Sequence, residues 1–257
     1  MKEWDEVAES FSDFVREGKD YFRDALNNPA TFKLIGNVKG KKVLDLACGE
    51  GYNTRVLAKK GATVVGVDFS EKLIELARHL EIKERLGITY YVADAANMEK
   101  IQSNHFDLVT CFMALQDVEH YKQAISEVAR VLKENGRFIF SIPHPCFIGH
   151  VVKDGGSVTR WMYEDGTTEK SFVIRQYFGI GKYEVQWDME RIAKPFKTTA
   201  FHRTLTDYFL SLHRSGLLVS RLVEPRPTLK AVSKYPSLAK RLRIPQSIVI
   251  EAVKKEL

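Results

Sequence analysis

The chain has 257 residues, 44% of them apolar and 28% charged, with a formal net charge of +6. This is the composition of an ordinary globular protein with enough apolar residues for a full core, and it excludes disordered and collagen-like classes. The modest positive excess leans towards anionic ligands or surfaces and falls short of a polybasic arm. Three cysteines, Cys48, Cys111 and Cys146, have no CxxC spacing and are too few for a disulfide framework. The first twenty residues are too charged for a signal peptide, and no apolar run reaches bilayer-spanning length, so the expected setting is cytoplasmic.

Residues 1–30 read as helical, with Trp4, Val7, Ala8, Phe11, Phe14 and Val15 at helical spacing and Gly18 as an interruption. From Val43 to Pro143 short β-branched runs alternate with amphipathic stretches. Strands are predicted at 43–47, 63–68, 88–93, 106–112 and 137–142, with helices near 53–60, 71–85 and 120–133. Ser70 is placed to cap the second of these helices. In the third, Ile125, Val128, Ala129 and Leu132 form a stripe expected to end at Asn135-Gly136. Such alternation implies a mostly parallel sheet with helices on both faces.

Residues 144–200 break this rhythm with aromatic, Gly and charged residues and read as a small antiparallel β insertion. Thr204 and Asp207 then resemble a capping box before a helix ending at Ser215-Gly216. Strands at 217–224 and 247–253 follow, separated by a basic linker punctuated by prolines. The expected organisation is a single domain over 1–257. It comprises a helical cap at 1–35, a ligand-binding core at 36–143, the insertion at 144–200 and a completion of the sheet at 201–257.

The most informative stretch is Val43-Leu-Asp-Leu-Ala-Cys-Gly-Glu-Gly51, a buried strand leading through a glycine-bearing turn into a helix. Such a turn lets a ligand approach the backbone closely. The usual dinucleotide pattern is GxGxxG after an apolar strand, which receives a pyrophosphate. Here the spacing is Ala47-x-Gly49-x-Gly51 and the strand carries Asp45, whose carboxylate would repel a diphosphate and suits an ammonium. A nucleoside with an amino-acid end, such as S-adenosylmethionine, fits that chemistry. Asp68 ends the second strand, where an acid can accept both ribose hydroxyls, and Asp94 follows the third, where one can accept an adenine amine. Taken singly, either acid also serves as a helix-start or turn residue.

With these motifs in place, the segment from about Val43 to Pro143 resembles the class I S-adenosylmethionine-dependent methyltransferases, in particular their small-molecule "type 11" branch. The resemblance implies a Rossmann-like α/β fold with a seven-stranded, mostly parallel sheet whose last strand is antiparallel. It implies S-adenosylmethionine as cofactor, S-adenosylhomocysteine as product, and a cofactor-binding set of Asp45, Ala47, Gly49, Gly51, Asp68, Phe69, Asp94, Ala95, Phe112 and Leu115. Phe112, Met113 and Leu115 would wall the sulfonium. The sequence departs from the family at Gln116-Asp117, where many relatives carry a histidine pair.

Methyl transfer from a sulfonium is an in-line displacement that needs alignment, exclusion of water and, for some acceptors, a base. His144, beyond the fifth strand, and His202, where the insertion rejoins the core, are the candidate catalytic residues. His79, His105, His120, His150 and His213 show no metal-ligand spacing, so no metal is expected. Trp161, Tyr163, Phe172, Tyr177, Phe178, Tyr183 and Trp187 are dense enough to line an acceptor pocket, and Arg175 and Arg203 to fix an acidic group. The expected partner is a small-molecule acceptor, acidic or aromatic, rather than nucleic acid or a membrane, with the chain a monomer or homodimer. Alternative readings are an RNA or nucleoside methyltransferase, for which Cys146 offers a thiol, and a non-catalytic cofactor-binding relative.

Overall fold

A computed structural model of the chain describes residues 2–147, 158–164, 169–187 and 196–255. The N-terminal helix α1 (Lys2–Arg16) ends before Gly18, which takes a φ of 64°. A π-helical stretch at Arg23–Asn27 leads into α2 (Asn28–Ile35). Then come β1 (Lys42–Leu46), α3 (Tyr52–Lys59), β2 (Thr63–Asp68), α4 (Glu71–Glu84), β3 (Thr89–Val92), β4 (Phe106–Phe112), α5 (Tyr121–Val131) and β5 (Leu132–Pro143). The insertion supplies β6 (Thr159–Tyr163), β7 (Glu169–Ile174), β8 (Lys182–Trp187) and β9 (Phe196–Phe201). The chain closes with α6 (Leu205–Arg214), β10 (Leu217–Val223), α7 (Leu229–Lys234) and β11 (Ser247–Lys254).

The main sheet has seven strands in the order β10-β11-β5-β4-β1-β2-β3. β1 to β5 pair in parallel, and β11 enters antiparallel to both β5 and β10. Side chains alternate across the pleat, so each strand feeds two cores. Leu44, Leu46, Phe138 and Phe140 pack with Ile125 and Val128 of α5 and Leu212 of α6. Val43, Leu108, Ile139 and Val249 pack on the other face with Ile35, Leu57 and Ile74 of α2, α3 and α4. Among the described residues no helix is long and apolar enough to cross a membrane.

Two caps match expectation: Ser70 Oγ accepts from Leu73 N at 3.1 Å, and Thr204 with Asp207 forms a full capping box. The third predicted helix differs. It stops at Val131, and β5 already begins at Leu132, five residues before the predicted strand. Pairing jumps from Phe106↔Leu132 to Leu108↔Arg137, so Lys133 to Gly136 form a bulge rather than a helix terminus. A Cβ on Gly136 would lie 2.7 Å from the Lys133 carbonyl, and Asn135 takes a φ of 61°. The two residues expected to end a helix therefore turn a strand.

The insertion is two separate hairpins, β6–β7 and β8–β9, rather than one layer. His150 and residues 188–190 of the predicted insertion lie outside the described residues. The basic linker contains α7, capped by Thr228, and a 3-10 segment at Pro236–Leu242. α7 buries no residue, so it left no apolar period to read.

Tyr90 of β3 sits beneath the sheet edge between two glycines. A Cβ on Gly66 would lie 2.6 Å from the Tyr90 ring and 3.0 Å from Cys48 Sγ. Gly66→Ala is expected to lower stability by about 1–3 kcal/mol through overpacking, read from urea unfolding. Adding Tyr90→Val should restore much of that loss. Parental stability in Gly66→Ala alone would contradict the packing described here.

Candidate functional site

The C-terminal edge of the parallel strands is where an open α/β sheet receives ligands, and the polar residues of this chain gather there. After β1 the backbone passes through left-handed conformations at Ala47 (φ 53°), Gly49 (φ 57°) and Gly51 (φ 82°). Gly51 heads α3, and the space above Gly49 is open except for Phe11 of α1, 3.9 Å from where a Cβ would be. A Cβ on Gly51 would collide with Tyr90 Oη at 2.4 Å. This turn is thus shaped both for close approach from above and for the tyrosine below.

Asp68, at the tip of β2, clamps the turn. Its Oδ2 accepts from Gly49 N at 2.8 Å and its Oδ1 from Ser70 N at 2.9 Å. Burial raises its pKa to about 6, against the pull of these amides. A carboxylate has about four lone-pair sites, so two amides leave acceptor capacity for a diol. Asp94 is exposed in a turn, its Oδ1 accepting from Ala96 N at 2.8 Å and its carbonyl from Asn97 N, with Ala95 buried behind it. Phe69 is half-buried between Asp68 and Ser70.

Asp45 plays a different part. It is 1% exposed, and its two oxygens accept from Thr54 Oγ1 at 2.6 Å and Thr110 Oγ1 at 2.8 Å. It therefore braces β1, α3 and β4 from beneath the turn rather than facing a ligand directly. At the mouth, Arg23 of the π-helical stretch lies 4.0 Å over the Tyr52 ring, one residue past Gly51. Its Nε and Nη2 hold Asp24 and the Val15 carbonyl, while Nη1 is buried without a hydrogen-bond partner. An orphaned guanidinium N–H beside a glycine turn suits a carboxylate, as the acid at Asp68 suits a ribose. These donors and acceptors fit a nucleoside bearing an amino-acid tail.

A 3-10 turn after β4, Leu115–Asp117, holds a further acid. Asp117 is half-buried; its Oδ2 accepts from Gln116 Nε2 at 3.3 Å, and Oδ1 has no protein partner among the described residues. Burial raises its pKa well above the usual carboxylate range, opposed chiefly by Arg203, with Asp68 and Glu3 adding further negative charge. Arg203 itself is committed to the loop, donating to the carbonyls of Leu115, Gln116, Val118 and Glu119. It is 8% exposed and stacks 4.1 Å over Tyr121, so it tethers this loop instead of holding a substrate acid as expected. Arg175 is exposed.

Both histidines are engaged. His144 is 3% exposed, its Nε2 lies 3.0 Å from Glu224 Oε1, and its Nδ1 accepts from Cys146 N. His202 pairs through Nε2 with the Pro145 carbonyl at 3.0 Å and stands edge-on to Tyr177. Burial lowers the pKa of both. Phe112 packs against Phe32 of α2 at 5.4 Å, and Leu115, expected in the sulfonium wall, is fully buried in the core around α5. Burial lifts the thiols of Cys111 and Cys146, which disfavours thiolate chemistry.

α1 roofs the site. Glu3 accepts from Thr199 N and Oγ1 of β9 at 2.8 and 3.0 Å, and Asp5 accepts from Ser70 Oγ at 2.6 Å. Trp4, Phe11 and Trp187 meet edge to face between them. The helical spacing of the N-terminal residues leads to the expectation of a cap over the cofactor with Phe14, Tyr21 or Arg23 near it, although amphipathic packing explains the same residues. Arg23 and Asp117 had faint signals, a cation in a helical run and an acid after a strand.

Burial raises Asp45 from 3.8 to about 6, with Thr54 and Thr110 pulling the other way. The folded state thus keeps its proton to higher pH than the unfolded chain. The resulting stability is present below pH 3.8 and is lost as pH rises through about 6. Asp45→Asn should flatten that decline by up to about 3 kcal/mol, seen in urea melts at about pH 4 and pH 7. Parallel slopes in the two proteins would rule out a buried-charge origin.

Comparison with known proteins points the same way as the geometry. A methyltransferase-domain family profile matches residues 44–140. A demethylmenaquinone methyltransferase of Clavibacter sepedonicus is 30% identical over 214 residues, covering 79% of this chain and 84% of that protein. A ubiquinone biosynthesis O-methyltransferase of Coxiella burnetii is 38% identical over 119 residues, 45% of this chain and 50% of the relative, so that match spans half of its length. The crystal structure of an S-adenosylmethionine-dependent methyltransferase from Mesorhizobium loti aligns with a TM-score of 0.71 at 27% identity, covering 88% of this chain and 96% of that one. A strand order, a glycine turn and an acid at the tip of β2 had each narrowed the choice, and the chain belongs to the class I S-adenosylmethionine-dependent methyltransferases of the type 11 branch.

Proposed function

We propose that this chain methylates a hydroxyl oxygen of a small aromatic acceptor of phenol or quinol type, with Asp117 taking the acceptor's proton. The cofactor-facing set in this reading is Asp68, Phe69, Asp94, Ala95 and the Ala47–Gly51 turn, with Arg23 on the carboxylate of the methionine tail and Asp45 acting from beneath. When bound, S-adenosylmethionine supplies a methyl group already activated on sulfur. The chain's task is then to align the acceptor, exclude water and receive one proton.

Asp117 Oδ1 is the observation that carries the assignment. It is the acid in the 3-10 turn after β4, it has a free oxygen, and burial raises its pKa, which makes its ionised form a stronger base than an exposed carboxylate. Asp117 would receive the acceptor's proton as the acceptor oxygen takes the methyl group and the sulfur leaves as the neutral thioether of S-adenosylhomocysteine. Arg203 holds the loop that presents it, and α1 with β8–β9 closes the roof. His144 has both ring nitrogens, and His202 its Nε2, in hydrogen bonds within the rim, so the reading assigns them to its scaffold. The relatives named for ubiquinone biosynthesis and demethylmenaquinone support an aromatic acceptor.

Formation of S-adenosylhomocysteine across a panel of catechols, quinols and other phenols is the direct test, and an active acceptor in that panel is expected. Turnover only on non-aromatic acceptors would overturn the acceptor class. Asp117→Asn should lower kcat at least tenfold with adenosylhomocysteine affinity intact, and the remaining rate should lose its acidic pH limb. An unchanged pH profile would remove the base role. Arg23→Met should weaken adenosylhomocysteine roughly tenfold to hundredfold by calorimetry, the worth of one charged hydrogen bond.

A further inference from the structure

A second cleft opens on the same rim, at the strands remote from β2. β11 begins beside the end of β5, with Ser247 opposite Pro143, and Gln246 holds the His144 amide through its carbonyl at 2.8 Å. Between this corner, the β6–β7 hairpin and the 3-10 segment at Pro236–Leu242 lies a cavity of about 160 Å³. Its walls are Phe147, Thr159, Arg160, Trp161, Phe172, Arg241 and Gln246.

Two of those walls carry unmet hydrogen bonds. Arg241 Nε is buried with no partner, and so is Gln246 Oε1. Burial lowers the pKa of Arg241, opposed by Tyr21, and no carboxylate among the described residues contributes. Among the described residues the lining holds two cations, Arg160 and Arg241, and no acid. Glu224 is taken up by His144, and Glu164 by Lys170. A buried guanidinium N–H without an acceptor is costly, and a bound anion would relieve it.

The remaining walls are aromatic. Trp161 and Phe172 meet edge to face at 5.2 Å, with Phe147 across the opening. Arg243 and Lys240 lie 5.2 and 5.8 Å from the Trp161 ring, and each is engaged elsewhere as well, Lys240 with Tyr163 Oη. A void of about 150 Å³ holds a benzene-sized ring. The two orphaned groups ask for an acceptor of negative charge and for a donor.

We propose that this cleft binds a single aromatic ring bearing a carboxylate and a hydroxyl, the carboxylate on Arg241 and the hydroxyl on Gln246. The site stands apart from the cofactor turn, with β5 and β4 between β11 and β1, and it is independent of the methyl-transfer reading. Its chemistry differs from that of the Asp68 and Asp117 cleft, which is acidic and suits a cation.

The test is calorimetry and tryptophan fluorescence with 3-hydroxybenzoate as probe, and with benzoate, 3-hydroxybenzamide and inorganic phosphate beside it. 3-Hydroxybenzoate should bind and quench fluorescence, benzoate should bind more weakly, and the amide and phosphate at least tenfold more weakly. Arg241→Gln should cost at least tenfold in 3-hydroxybenzoate affinity and Arg241→Lys less, with adenosylhomocysteine affinity unchanged in both. Trp161→Phe should abolish the quench while calorimetric binding persists. No binding of 3-hydroxybenzoate at millimolar concentration, or equal binding by wild type and Arg241→Gln, would overturn the site. Equal affinity for phosphate would overturn its aromatic specificity. If Arg241→Gln fails to fold, the contrast between 3-hydroxybenzoate and its amide on the wild-type chain decides the charge requirement. Failure of adenosylhomocysteine to bind would count against the cofactor reading alone.

Discussion

The rim of this protein depends on a backbone turn that only small residues can make, pinned by one carboxylate. Ala47, Gly49 and Gly51 all lie in the left-handed region, and Asp68 holds Gly49 N while also receiving Ser70 N at the start of α4. From below, Tyr90 occupies the volume that side chains at Gly51 and Gly66 would need. The ends of β1, β2 and β3 and the starts of α3 and α4 are thereby locked together. The ligand-facing surface is left as bare backbone with two acids beside it.

That surface is held at an electrostatic cost. Asp45 and Asp68 are both raised to about 6 by burial, and burial raises Asp117 well above the usual carboxylate range. Burying like charges together is unfavourable unless something positive relieves them. A sulfonium with an ammonium tail is such a group, whereas a pyrophosphate would worsen the balance. Sheets of similar architecture carry dinucleotides on this edge. In the proposed reading Asp68 at the tip of β2 and Asp117 in the turn after β4 favour a cationic nucleoside on the same architecture, with Asp45 acting from beneath. Arg23 supplies an orphaned cationic donor by the turn, opposite in sign to the acids and matched to a carboxylate.

The parts that close the site come from far away in the chain. α1 is bonded to β9 through Glu3 and to α4 through Asp5, with Trp4, Phe11 and Trp187 filling the gap. Arg203, just beyond β9, reaches four carbonyls of the loop after β4. One cation saturated by backbone acceptors thus ties the return of the insertion to the loop carrying Asp117, so the roof and this loop share a support.

Much was legible in the chain itself. The alternation of apolar residues at period two and near 3.6 marked the strands and helices of the core. Ser70 and the Thr204–Asp207 pair marked two helix starts, and the glycine turn with Asp68 and Asp94 located the rim. These are local properties, decided by sterics and hydrogen bonds within a few residues of each position. The end of α5 was misjudged because Asn135-Gly136 suits either a helix terminus or a strand bulge, and only pairing with β4 settles which. Arg203 read as a possible anion hook and proved to be a tether, because whether a guanidinium is free depends on which carbonyls the fold brings to it. The same holds for His144, whose partner Glu224 is eighty positions away, and for Arg241, whose Nε is left without a hydrogen bond. Local sequence decides where backbone turns and charges fall; long-range packing alone decides which of those charges are spent on the protein and which remain for a ligand.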